Sequence, residues 1–281
     1  MTADEPAEHD EVERLRAEVR GLRVRARTRP LIAQAQGILQ ERYRLSDADS
    51  AFALLQRASQ RHNVKLRTLA RVLVAAPRPG TDELWFPQRV REPEPALGFV
   101  PQHRPDAGNR GAVLSAVLTR TLAVVGADMG NVQVADRVDG GLYIEKHTGL
   151  TEEFVDFFAY VGDDGTACAK AARDIAQVTV RDVESDPVFD EPARAAILAA
   201  GCRGVHSVPL TTTSGLCVGM VSAHVAHRLD ELSRAQLKAL DVLGAESGRW
   251  LAWHEGTVVL DALEHVHALG RDGWGTRMRR S

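Results

Sequence analysis

RPLIAQAQGILQERYRLSDADSAFALLQRASQRHNVKLRTLARVLV, residues 29–74, decides the fold of the first part of the chain. Leu31, Ile32, Ala35, Ile38, Leu39 and Tyr43 return at helical spacing until a stop around Arg44-Leu45. Ser46 and Asp47 are suited to cap a second helix, because a short side-chain oxygen can accept the unpaired N–H groups of a first turn. That helix runs through Ala51, Phe52, Leu54, Leu55 and Ala58, and Asn63 breaks it, since Asn tolerates the left-handed conformation that ends helices. A short third helix buries Leu66, Leu69, Val72 and Leu73. No one of these helices can bury its apolar face alone, so a small three-helix bundle is predicted.

Working outward, Val12, Leu15, Val19, Leu22 and Ala26 follow 3-4-3-4 spacing on a charged helix, which predicts a narrow two-helix seam and a homodimer through residues 11–28. Gly21 and the short length make that seam marginal without further packing. Pro30 either opens a new helix or kinks this one. Residues 1–10 read as an acidic disordered start, and residues 77–110 as a linker punctuated by prolines such as Pro77, Pro79, Pro87, Pro93 and Pro95. The Trp85-Phe86 pair within it is expected to dock on a domain.

Beyond Gly111 the pattern mixes states. Helices are predicted at 112–125, 152–159, 166–172, 192–200 and 233–255, and strands at 131–136, 142–146, 176–180, 205–210 and 218–224. Turns such as Val138-Asp139-Gly140-Gly141 and Thr213-Ser214-Gly215 make the strands hairpin neighbours. The fold class is thus α plus α/β: an N-terminal helical unit (a seam helix over 11–28, a bundle over 29–76), then an antiparallel sheet flanked by helices over 111–255. Residues 256–281 are set aside as a C-terminal tail, Gly- and Arg-rich beyond Gly270.

Net charge is −3 over 281 residues, but it is unevenly spread. Residues 11–76 hold 14 Lys/Arg against 6 Asp/Glu, and residues 112–255 hold 12 against 20, so a polyanion is attracted to the first part and repelled by the second. Three cysteines, Cys168, Cys202 and Cys217, form neither a disulfide framework nor a CxxC pair. With no apolar signal core and no membrane-length apolar run, they place the chain in the cytoplasm, off the membrane.

The run Gln34-Ala35-Gln36-Gly37-Ile38-Leu39 with Tyr43, then Ala51-Phe52, Leu55-x-Arg57-Ala58-Ser59 and Asn63-Val64-Lys65-Leu66-Arg67-x-Leu69-Ala70, resembles the ANTAR domain of bacterial transcription antiterminators. The resemblance implies a dimeric three-helix module that binds hairpin loops in mRNA leaders. Gln36, Arg57, Arg61, Lys65, Arg67 and Arg71 are then the candidate RNA contacts; the family often has Lys where Gln36 stands. Without the resemblance, such charges read as a solvated face. Phe52 and Tyr43 fit packing better than base stacking, and the small Ala51 fits a close approach of helix or RNA backbone.

The second half resembles a GAF domain in Ala127-Asp128-Met129-Gly130-Asn131-Val132-Gln133, in GLTEEFVDFFAYV (149–161), in Asp182-Val183-x-x-Asp186-Pro187, and in AAGCRGVHSVPL (199–210) leading to Gly219-Met220-Val221-Ser222-x-His224. This implies a sensory domain with a pocket between sheet and helices, a second dimer contact, and an unidentified small-molecule or protein signal. The Asn-Lys-Phe motif of cyclic-nucleotide members is not reproduced at Phe189-Asp190-Glu191.

An enzyme is not expected, since GxSxG, P-loop and HExxH signatures are missing. Neither a cofactor nor a metal is expected: His224 and His227, at i and i+3 on a strand, point to opposite faces, and His206 lies on a neighbour. Two other readings stay open: a dimerising module that docks on a sensor kinase or anti-sigma partner, and a redox sensor using Cys168.

Overall fold

Helix α1 covers residues 30–43, α2 Ala48–His62 and α3 Leu66–Ala75 in a computed structural model that describes residues 30–80, 84–100, 108–136, 140–162 and 165–272. The acidic start and the seam over 11–28 lie outside the described residues. The chain divides into two units: residues up to Arg91 with Thr257 onward, and Glu92–Gly256.

In the first unit the local signals act where the sequence places them. Arg44 turns α1 off at φ 51°, and the Asp47 carboxylate caps α2 by accepting from Ser50 N at 2.7 Å. Asn63 ends α2 at φ 50°, with Val64 N donating back to Ser59 O at 3.0 Å, and α3 follows directly. Ala35, Leu39, Leu54, Leu55, Leu69 and Leu73 are fully buried between the helices.

The segment 256–281, expected as a tail, contains a fourth helix of this bundle. Helix α9 (Leu260–Arg271) buries Ala262, Leu263 and Val266 in the same cluster, along with Val259 just before it. Val259, Ala262, Leu263, Val266 and Gly270 lie on one face at helical spacing, and three short helices leave an apolar side for that face to close. Each large aliphatic side chain so buried stabilises the unit by about 1.5–3 kcal/mol relative to exposure. The close approach to α1 needs Gly270, where an added Cβ would lie 2.6 Å from the Tyr43 ring. Beside it, the Tyr43 hydroxyl and His267 Nδ1 share a hydrogen bond of 2.7 Å.

Part of the proline-punctuated segment straps α9 in place. Trp85 is buried, donates from Nε1 to Pro77 O at 2.9 Å and carries the Arg42 guanidinium 4.5 Å from its ring centroid. The Trp85 and Phe86 N–H groups both donate to the Glu264 carboxylate at 2.8 Å, while Arg89 and Arg91 pair with Asp261. Residues 92–100 belong to the other unit, where Leu97 joins the core and Trp250 Nε1 donates to Glu94 at 2.7 Å. Within the expected linker over 77–110, Trp85-Phe86 docks as its sequence suggests, and residues 84–100 as a whole form two docked segments. The Trp85 and Phe86 backbone donors and the Glu94 carboxylate find partners distant in sequence.

The second unit is built on one antiparallel sheet in the order β3-β2-β1-β6-β5-β4. Its strands are β1 (Met129–Ala135), β2 (Leu142–Thr148), β3 (Tyr160–Val161), β4 (Val178–Val180), β5 (Gly204–Thr211) and β6 (Cys217–Val225). Helices α4 (Arg110–Val125) and α8 (Arg234–His254) cover one face, burying Val113, Val117, Leu240 and Trp250 against Val132, Val208 and Val221. Ser233 starts α8 with a capping box to Gln236, and Gly248 lets α8 lie against the Thr211 backbone, which any Cβ would strike. Helices α5 (Glu152–Phe157), α6 (Ala167–Asp174) and α7 (Glu191–Ala199) cover the other face over Met220 and Val205. After α8 the chain passes through a π-helical turn, Glu255–Val259, into α9. The two-residue β3 is the one described strand that sequence patterning missed.

Candidate nucleic-acid interface

The cationic side chains of the first unit sit where the apolar periodicity leaves them. Arg57 and Arg61 stand one turn apart on α2, both exposed, because the buried set Ala51, Leu54, Leu55 and Ala58 claims the other side. Lys65 is exposed at the N-cap of α3, and Arg67 and Arg71, again one turn apart, are partly exposed on that helix. Basic side chains repeated along two consecutive helices suit a phosphate backbone, which needs closely spaced cations more than shape.

Gln36 stands apart from these. Its amide donates to Ala48 O at 2.9 Å and so ties α1 to the start of α2. Ala51 is fully buried, so its small size serves helix packing and not RNA approach. Phe52, expected to pack, is only partly buried and lies outside the core cluster, whereas Tyr43 packs against it.

Two histidines that sequence reasoning missed border the face. His62 ends α2 and His265 lies on α9, with ring centroids 5.6 Å apart. Burial, with Arg61 nearby, pushes His62 below its ordinary value, against the opposing pull of Asp261. His265 is likewise lowered by burial, and then by Arg61, His62 and Arg57. Both rings are therefore neutral near pH 7, and the arginines of α2 disfavour their protonation. Nothing in residues 57–71 signals His265, because the two helices come from opposite ends of the chain.

The second unit carries a buried polar cluster on the sheet face under α5 and α6. The β1–β6–β5 register aligns Asn131 with Ser222 and Ser222 with Ser207, and Gln133 and His224 lie two positions away on the same face. Cys168 of α6 places its sulfur 3.1 Å from Ser222 Oγ, and the two serine hydroxyls are 2.8 Å apart. Asn131 Nδ2 lies 3.4 Å from His224 Nε2, and Phe154 meets the His224 ring edge-on at 5.1 Å. Burial pushes His224 down to about 4 and the Cys168 thiol up. The Asn131 Oδ1, Gln133 Oε1 and His224 Nδ1 atoms are buried without a protein partner, an arrangement that costs about 1–3 kcal/mol per group. They can offer two acceptors and a histidine nitrogen to a small uncharged polar molecule.

His206 faces the other side of the sheet, bonded to Thr179 and to Gln177 at 2.8 Å each, so it does not meet His224. His227 lies beyond the end of β6. Among the described residues no group of three His, Cys, Asp or Glu is placed to hold a metal ion. Lys170, the cation nearest Cys168 in sequence, pairs instead with Asp174. An open cleft of about 550 Å³ beside Thr166 and Phe189 is lined by Asp186 and Asp190, whose carboxylates serve a turn and the α7 cap. No described helix is long and apolar enough to cross a membrane.

Residues 20–74 match the family model of the ANTAR domain. No protein of curated function matches the chain. Solved structures similar to about half of it include the GAF domain/HD domain protein from Geobacter sulfurreducens, at 17% identity over 52% of this chain and 93% of that one, with TM-score 0.44. The GAF domain from an Acinetobacter phosphoenolpyruvate-protein phosphotransferase shares 14% identity over 50% and 79%, TM-score 0.41. Free methionine-R-sulfoxide reductase from Neisseria meningitidis shares 17% over 57% and 98%, TM-score 0.38. The fold of the second unit rests on its own strand order and helices.

Proposed function

We propose that the chain is a one-component regulator of transcription: the ANTAR unit binds hairpin loops in nascent mRNA leaders to promote antitermination, and the GAF-type unit senses a small molecule or a protein partner. The observation that carries this reading is the set of exposed or partly exposed cations on α2 and α3, Arg57, Arg61, Lys65, Arg67 and Arg71, within the residues matched to the ANTAR domain. The opposite charge balance of residues 112–255 supports a division in which RNA meets the first unit only. The polar cluster around Asn131, Gln133 and His224 supports a sensory role for the second, with a neutral polar ligand as the chemistry it suits.

Pairing through residues 11–28 and the GAF-type unit is the proposed route of control. A marginal seam is tipped by a few kcal/mol of differential binding, so a ligand that favours one dimer geometry sets how two ANTAR units meet.

Filter binding of the full chain to RNA carrying two adjacent small hairpins tests the reading. The full chain is needed because a fragment ending at residue 76 lacks α9. Affinity is expected to fall steeply with salt, and Arg57→Ala or Lys65→Ala to weaken it and shrink the salt slope by about 1 each. Equal binding by a scrambled single strand, or no loss in either variant, would refute it.

A further inference from the structure

We propose that His62 and His265 join Arg57 and Arg61 in one composite phosphate-binding patch, so that the C-terminal helix α9 supplies part of the RNA-contact surface. This rests on the RNA-binding reading above and deepens it.

The patch draws on both ends of the chain. Arg57, Arg61 and His62 project from the last two turns of α2, and His265 stands beside His62 with ring centroids 5.6 Å apart. Arg57 and Arg61 are close enough to depress the His265 basicity, which places all four in one local field. The two side chains are only partly buried, but the Nε2 atom of each is itself buried and has no hydrogen-bond partner, so it meets a phosphate only when its ring turns. A half-turn of an imidazole exchanges nitrogen with carbon positions at its rim, and the patch requires this exchange of each ring. Among the described residues the acid acting on the pair is Asp261, which pulls on His62 and is itself paired with Arg89 and Arg91.

Such a patch differs from a plain row of arginines in its protons. Without RNA, both rings are held neutral by burial and by the neighbouring guanidiniums. A phosphate seated among them reverses the local field, favours the imidazolium, and gains a charge-assisted donor from each ring it protonates. RNA binding then takes up protons. Affinity rises as pH falls through the bound-state values and levels off below the lowered values of the RNA-free protein.

The test is filter binding of the full chain to the two-hairpin RNA at pH 8, 7 and 6 and constant ionic strength. The unsubstituted chain is expected to bind roughly 3- to 10-fold tighter at pH 6 than at pH 8. His265→Gln, which keeps a polar side chain of similar reach but cannot be protonated, is expected to lose most of that gain. His265→Arg, which restores a permanent cation, is expected to bind at pH 8 as tightly as the unsubstituted chain does at pH 6. Loss of affinity in both variants at every pH would mean that His265 only supports the fold, and would overturn the patch. Full pH dependence in His265→Gln, with binding still weakened by Arg57→Ala, would overturn it while leaving the RNA-binding reading intact. Failure of the unsubstituted chain to bind the hairpins at any pH would overturn both.

Discussion

Leu263→Ala, a change of one side chain in the C-terminal helix, is expected to destabilise helices that lie two hundred positions earlier. Leu263 is fully buried in the cluster formed by Leu39, Leu54, Leu55, Leu69 and Leu73. Truncating a buried leucine to alanine removes its transfer free energy and leaves a cavity, at a combined cost of about 2–5 kcal/mol. If α2, α3 and α9 open as one cooperative unit, that cost appears in the exchange of their most protected amides; about 3 kcal/mol corresponds to exchange roughly 100-fold faster. Hydrogen–deuterium exchange with peptide-level mass spectrometry reads this directly from Ala48–His62 and Leu66–Ala75. The peptides of the antiparallel sheet, in the other unit, serve as the internal control. Acceleration confined to Leu260–Arg271, with α2 and α3 unchanged, would refute the claim that α9 is part of the bundle core.

Two further outcomes follow from the buried titrating groups of the second unit. Burial holds His206 and His224 near 4 and His254 near 3, against about 6.5 in an unfolded chain, so the unfolded state takes up protons first. Their contribution to stability is full above pH 6.5 and is lost as pH falls toward 4, by roughly 1.4 kcal/mol per pH unit per histidine; an unchanged urea midpoint between pH 7 and pH 5 would refute this. The Cys168 thiol, buried and pushed up, is expected to resist iodoacetamide at pH 7.5 for as long as the native fold persists, and rapid native-state alkylation located at Cys168 by mass spectrometry would favour a redox role.

Much of the fold was legible because its punctuation is local. Asp47, Asn63 and Ser233 begin or end helices through contacts within a few residues, and hydrophobic alternation located every described strand longer than two residues. Helix α9 was not legible: Gly256 before it and Gly270 in its last turn read like loop residues, and its apolar face has meaning only opposite α2 and α3, which no local pattern reveals. The same physical reason hid His265 beside His62. Gln36 shows how a motif residue can also hold the fold, since its amide donates to Ala48 O, a bond that no local pattern announces. Asn131 and Gln133 were noticed as marks of a family, but whether a polar residue on a strand faces solvent or core depends on which face the helices cover.

The Tyr43–His267 contact closes a span of 224 positions, and this orders events during synthesis. A ribosome adding about 5–20 residues per second makes the whole sheet-bearing unit after α1, α2 and α3 and before α9. These three helices therefore wait, their shared apolar side uncovered, until α9 emerges. A nascent chain cannot complete the basic bundle before its sheet-bearing unit has been made, so every finished copy of the one is already tethered to the other.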